Sequence, residues 1–92
     1  MADTIRVGAG CLNQLPLDWS GNRRRILESI AQAREAYVSV LCLPELAITG
    51  YGCEDQFLSH EVAERSWESL VEIAEHTKDM VVAVGLPVWV KN

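Results

Sequence analysis

The chain has 92 residues, 49% of them hydrophobic, and a formal net charge of −5 at pH 7. This acidity argues against nucleic-acid binding, which depends on a basic surface. The longest apolar run, residues 80–90, is interrupted by Gly85 and Pro87 and is far shorter than the ~20 residues that cross a bilayer, so no membrane partner is expected.

The N-terminus and the cysteines indicate the compartment. The first residues carry no basic start followed by a long apolar segment, so they do not predict a signal peptide. The three cysteines form no CxxC pair, and an odd number does not predict a disulfide framework. Both observations favour a cytoplasmic location.

The first half of the chain predicts a strand, a helix and a second strand. Residues 4–13 alternate between an apolar face and a face of small residues, which is typical of a strand. Residues 21–37 predict an amphipathic helix capped by Ser20 or Asn22, with an apolar face formed by Ile26, Ile30, Ala33 and Tyr37. Residues 38–43 are continuously apolar, as expected for a parallel strand covered on both faces. The basic triplet at 23–25 predicts a solvated first helical turn.

The second half predicts a further helix and strand. Ser59 can cap a second helix, whose predicted core face is Ala63, Trp67, Leu70 and Ala74. Residues 80–86 predict a third strand, and residues 88–90 the start of a hairpin. The resulting order, β-α-β-α-β, favours parallel pairing in an α/β fold.

Glu45 is the candidate functional residue that the pattern itself suggests. It follows an apolar strand directly after Pro44, at the mouth of a loop that contains Gly50 and Gly52. Strand ends border the crevices where α/β proteins bind ligands, and a partly desolvated carboxylate there suits a general base. The alternative is a structural acid that caps Thr49 or accepts hydrogen bonds from backbone N–H groups of the turn.

The sequence resembles the carbon–nitrogen hydrolase, or nitrilase, superfamily. The resemblance rests on Leu43-Pro44-Glu45-Leu46 followed by Thr49-Gly50-Tyr51, and it is strengthened by Asp18-Trp19-Ser20-Gly21-Asn22 and Val84-Gly85-Leu86-Pro87. The extension Gly52-Cys53-Glu54-Asp55 is similar to the N-terminal glutaminase domains of glutamine-dependent NAD synthetases. The resemblance implies a nitrilase-like α-β-β-α sandwich. Residues 1–92 would be the N-terminal part of that glutaminase domain, and only its first β-α-β-α-β portion would be present.

The resemblance also implies amide hydrolysis by a Glu-Lys-Cys triad, with Glu45 as the catalytic glutamate. Tyr51 would bind the substrate, glutamine, or would only pack the loop with its hydroxyl bonded locally. No cofactor or metal is expected in this segment, whereas ATP and magnesium are expected in a separate synthetase domain. The expected partners are that domain, the remainder of the glutaminase domain and, in the intact enzyme, further copies of itself.

The resemblance leaves the triad incomplete. The family's lysine and nucleophilic cysteine lie beyond Asn92, so the chain alone is expected to be inactive. Cys42 is expected to be buried in its strand and inert, and Cys53 matches a motif position that is not the nucleophile. The alternatives are another carbon–nitrogen hydrolase, such as an aliphatic amidase, nitrilase or carbamoylase, or a non-catalytic remnant or binding module.

Overall fold

The computed structural model describes residues 4–90. Within that range the elements are β1 (Val7–Ala9), α1 (Trp19–Glu35), β2 (Val40–Cys42), a 3-10 helix (Glu54–Leu58), α2 (His60–Ala74) and β3 (Val81–Ala83). The predicted β-α-β-α-β order is confirmed. Residues 1–3 and 91–92 belong to the predicted domain but lie outside the described residues.

The described strands form a parallel sheet with β2 at its centre. Val7 pairs with Val40, and Val40 pairs with Val81, so the three strands begin at the same position across the sheet. Each strand is shorter than the sequence predicts. Pairing nevertheless continues past the carboxyl ends, because Gly10 N donates to Cys42 O (2.9 Å) and Leu43 N donates to Ala83 O (2.9 Å).

Helix α1 begins earlier than predicted and has a different cap. Asp18 is the N-cap residue, and its carboxylate accepts a hydrogen bond from Gly21 N at 3.2 Å. The prediction of Ser20 or Asn22 as the cap was therefore wrong. Tyr37 was also misplaced: it follows the helix with φ +60° and is 83% exposed, whereas the other three residues of the predicted apolar face are buried.

Helix α2 buries a different face from the predicted one. Its buried residues are Val62, Ser66, Ser69 and Ile73, while Trp67 is 56% exposed. The Ser66 hydroxyl is satisfied within the helix, because it donates to Val62 O at 2.7 Å. Small serines let α2 lie close to α1, which it contacts directly, and the bulky tryptophan is left on the outer side.

The two faces of the sheet differ in what covers them. On one face α1 and α2 close a core made of Ile26, Ile30, Ala33, Leu41, Leu43, Ala47, Ile48 and Ile73. The other face, which we call the open face, consists of Val7, Ala9, Val40, Cys42, Val81 and Ala83. All of these except the half-buried Val40 are exposed. The prediction that β2 is covered on both faces was wrong for the described residues.

The basic triplet at the start of α1 is less solvated than predicted. The Arg23 side chain forms an ion pair with Glu72 of α2 (3.0 Å), and Arg24 pairs with Glu28 one turn along α1 (3.1 Å). The Arg25 side chain is only 20% exposed and turns inward toward the Asp18 carboxylate (3.3 Å). Arg25 is thus part of the fold around the start of α1.

After β3 the chain continues without further strand structure as far as residue 90, so the predicted hairpin start is not found there. The ring of Trp89 instead stacks on His60 at the start of α2, with centroids 4.1 Å apart and planes 5° apart. None of the helices in residues 4–90 is both long enough and apolar enough to cross a membrane.

Candidate active-site loop

The loop that carries Glu45 begins at the carboxyl end of the central strand. Pro44 has no N–H to donate, which ends the sheet pairing. The chain then turns tightly, because Ala47 N donates to Pro44 O (3.2 Å) and Gly50 N donates to Leu46 O (2.8 Å). Glu45 therefore lies at the sheet edge where parallel α/β proteins place their ligand sites.

The Glu45 carboxylate is exposed, so the predicted partial desolvation is not found. Among the residues that the structure describes, none forms an ion pair or a hydrogen bond with this carboxylate. The structural alternative is not found there either. The buried Thr49 hydroxyl donates to Gly50 O at 3.0 Å, so Glu45 does not cap it. The carboxylate is thus available to a reacting group.

Tyr51, the predicted substrate-binding residue, lies on the same loop. It follows Gly50, whose φ of +78° favours glycine, and its side chain is 53% exposed. Among the residues whose side chains the structure describes, a set that excludes Asp55, no partner of its hydroxyl is found. Within that set, no hydrogen bond joins it to Glu45.

The two cysteines nearest the loop differ in exposure. Cys53 is 4% exposed, and its thiol lies 3.5 Å from Thr49 O and 3.4 Å from Gly50 O. This burial agrees with the prediction that Cys53 is not the nucleophile. Cys42 is exposed on the open face, so the prediction that it is buried was wrong.

Gly85 fixes the main chain of Glu45 from the β3 side. A Cβ atom at position 85 would lie 1.2 Å from Glu45 O, so no other residue fits without displacing the backbone. Ile48 N also donates to Gly85 O at 3.3 Å. Sequence reasoning used Gly85 as a motif position and did not foresee this contact, because the approach of two loops is not encoded locally.

The opposite side of the loop packs on the segment between β1 and α1. A Cβ atom at Gly50 would lie 2.5 Å from Leu15 O, so the two backbones are in close contact. Gln14 and Asn22 donate hydrogen bonds to this loop, and neither role was foreseen from the sequence. These roles were hard to predict, because glutamine is common before a proline-containing turn and asparagine is common near the start of a helix.

The described residues offer no evident metal centre. Among the residues whose side chains the structure describes, no three His, Cys, Asp or Glu cluster so that they could hold a metal ion. The segment between β1 and α1 also lacks the glycine-rich loop that binds phosphates.

Comparisons with known proteins point to one family of enzymes. Residues 6–92 match the model of the carbon-nitrogen hydrolase family. The glutamine-dependent NAD(+) synthetase of Saccharomyces cerevisiae is 43% identical over 100% of this chain, and that of Homo sapiens is 36% identical over the same share. In both cases the chain covers 13% of the relative's length.

A solved structure gives the same result for the fold. The crystal structure of a glutamine-dependent NAD(+) synthetase from Cytophaga hutchinsonii superimposes with a TM-score of 0.93 at 50% identity. The match covers 96% of this chain and 15% of that protein, and it assigns the three strands and two helices of residues 4–90 to the N-terminal portion of a nitrilase-like fold. With the family match extending over nearly its whole length, the chain belongs to the carbon–nitrogen hydrolase family.

Proposed function

We propose that this chain is part of the glutamine amidohydrolase domain of a glutamine-dependent NAD synthetase. In such an enzyme the domain would supply ammonia for the ATP-dependent amidation of nicotinic acid adenine dinucleotide. The observation that carries the proposal is the similarity over the whole chain to synthetases of this kind. The exposed Glu45, at the carboxyl end of the central strand, supports it.

Glu45 is the general base of the proposed reaction. Its carboxylate takes the proton of a cysteine thiol, and the thiolate attacks the carboxamide carbon of glutamine. The C–N bond breaks, the nitrogen leaves as ammonia with that proton, and a thioester remains for water to hydrolyse. The lysine stabilises the oxyanion. The cysteine and lysine are not among the motif positions of this chain, so the chain alone is inactive.

Tyr51 is the proposed contact to glutamine. Its exposed ring and its hydroxyl, which has no partner among the described residues, lie on the same loop as Glu45. A phenol can donate to, or accept from, the polar groups of an amino acid while its ring excludes water. ATP and magnesium have no role in this segment and belong to the synthetase domain of the proposed enzyme.

The proposed partners follow from the open face. It is apolar in the strands of residues 4–90, and the remainder of the glutaminase domain would cover it as the second sheet of the sandwich. The synthetase domain and further copies of the enzyme would complete the assembly, in the cytoplasm.

The test is a chimera in which this chain replaces the matching segment of the Cytophaga hutchinsonii synthetase. NAD formation is measured with glutamine and, separately, with ammonia as the nitrogen source. Glu45→Gln should lower the glutamine-dependent rate by about 10²–10⁴-fold, because a general base contributes that much. It should leave ammonia-dependent synthesis intact, since ammonia bypasses the thiol chemistry.

Glu28→Gln is the matched control, because Glu28 is an exposed acid on α1 whose partner is Arg24. It should leave both rates unchanged. Equal loss of both activities in Glu45→Gln would contradict the proposed role, since it would mean that Glu45 supports the fold or the synthetase step. A parent chimera that uses ammonia but never glutamine would contradict the assignment of this chain to a working glutaminase.

A further inference from the structure

Three consecutive backbone carbonyls of the Glu45 loop are held by one short region of the chain. Ala47 O accepts a hydrogen bond from Gln14 Nε2 at 2.6 Å, and Ile48 O accepts one from Asn22 Nδ2 at 3.0 Å. Thr49 O accepts one from Leu17 N at 2.7 Å. The loop is therefore bound, carbonyl by carbonyl, to the segment that joins β1 to α1.

The Asn22 side chain is fixed in one orientation. It is fully buried, and Nδ2 donates a second hydrogen bond to Leu15 O at 2.8 Å. Oδ1 accepts from Leu15 N (3.0 Å) and from Arg25 Nη2 (2.8 Å). Both amide protons and both lone pairs are thus used, so the side chain can neither flip nor relax without losing bonds.

Gln14 is fixed in a similar way. Its Nε2 donates to Asn22 O (3.0 Å) in addition to Ala47 O, and its Oε1 accepts from Arg25 Nε at 2.7 Å. The Arg25 guanidinium therefore binds the oxygens of both amides and directs both NH₂ groups toward the loop. The planar guanidinium group suits this double contact.

We propose that Gln14 and Asn22 are positioning residues that set the place of Glu45 for catalysis; this inference rests on the proposed function. The carbonyls that they bind begin two residues after Glu45, and Gly85 confines the Glu45 main chain from the other side. The Glu45 carboxylate is exposed and has no ion-pair partner among the described side chains, so the place of its backbone matters for its position. The two amides, together with Leu17 N and Gly85, hold the backbone from which the base projects.

Replacing each amide by the carboxylate of the same shape tests these hydrogen bonds directly. Asn22→Asp and Gln14→Glu keep the shape of each side chain and the oxygen that faces Arg25. Each replaces an NH₂ donor by an oxygen that faces backbone carbonyls, so attraction becomes repulsion. Asn13→Asp is the matched control, because it introduces the same charge beside Gln14 at an exposed position.

The variants are made in the full-length chimera described above. Each should lower the glutamine-dependent kcat about tenfold or more, with the KM for glutamine changed less than about twofold, since the misplaced group is the base. Ammonia-dependent synthesis should be retained. Amide hydrogen exchange should quicken in residues 46–50 and stay unchanged in residues 26–33 of α1. Asn13→Asp should change none of these.

Two results would overturn the proposal. One is an unchanged glutamine-dependent kcat in both variants. The other is joint loss of both activities with faster exchange in residues 26–33, which would assign the amides to general stability. Glu45→Gln in the same chimera separates this inference from the proposed function. If Glu45→Gln keeps glutamine-dependent synthesis, the proposed function fails. If only Glu45→Gln loses it, the positioning role fails.

Discussion

The two faces of the sheet are built from the same strands but have opposite properties. On the covered face a Cβ atom at Gly10, which directly follows β1, would lie 3.0 Å from the Ser29 hydroxyl of α1, and Leu41 is buried in the core. On the open face Val7 and Val81 are about two-thirds exposed. The comparison teaches that hydrophobicity alone does not mark the covered face of a sheet, because two valines lie on the exposed face.

The largest expected difference between the faces is in stability. Ile26 is fully buried in the covered core, so Ile26→Ala should lower the free energy of unfolding of the chain by about 2–5 kcal/mol. Val81→Ala, on the open face, should cost less than about 1 kcal/mol, because Val81 is already 64% exposed. Urea denaturation followed by far-UV circular dichroism measures both.

An equal loss of unfolding free energy in the two variants would contradict the contrast between the faces, since it would mean that something covers the open face in solution. Repeating the denaturation over a range of protein concentrations identifies self-association as the cause. A midpoint that rises with concentration would show that copies of the chain bury one another's sheets.

A smaller contrast is expected between two neighbours at the carboxyl end of β1, Ala9 and Gly10. The Cβ of Gly10→Ala would lie 2.7 Å from Leu43 Cδ2 and 3.0 Å from Ser29 Oγ, which forces those side chains to shift at a cost of about 1 kcal/mol. Ala9→Val adds more volume, yet Ala9 faces the open side and the change should stay within about 0.5 kcal/mol. Thermal melts of the two variants, compared with the parent chain, test this. A more destabilising Ala9→Val would contradict the assignment of faces.

The last contrast between the regions is kinetic and concerns the cysteines. Cys42 on the open face should react with a maleimide about tenfold or more faster than the buried Cys53, because thiol reactivity requires access. Mass spectrometry of the labelled peptides measures both rates in one sample. In the chimera, Cys42 should become protected, since the proposed second sheet would cover it. Continued fast labelling there would contradict that part of the proposal.

The order of the elements could be predicted from the sequence because each has its own period and its own end signals. The continuous apolar run before Pro44 predicted the central strand, and it placed Glu45 at a strand end. The prediction of which face of α2 is buried was wrong. Trp67 outranks Ser66 in hydrophobicity, but Ser66 is the buried residue, and its hydroxyl bonds within its own helix.

The candidate site was predictable only in part, for a similar reason. Glu45 is identified by its place after the strand and by the family motif. Its supports, Gln14, Asn22 and Gly85, come from three segments whose meeting depends on the whole fold. Asn22 shows the difficulty plainly: the sequence suggested a helix cap, whereas Asp18 caps α1 and Asn22 binds the loop.

The parallel pairing of the sheet has a consequence for synthesis on the ribosome. Val7 can pair only after Val40 has been synthesised, and Val40 can pair with Val81 only after a further 41 residues. Each pairing therefore closes a long loop, and folding is expected to be slow. The loop of Glu45 can dock on Gln14 and Asn22 once the first half has emerged. It is confined from both sides only when Gly85 arrives. The nascent chain is thus expected to assemble the candidate site in two stages, and its open face stays exposed after the second.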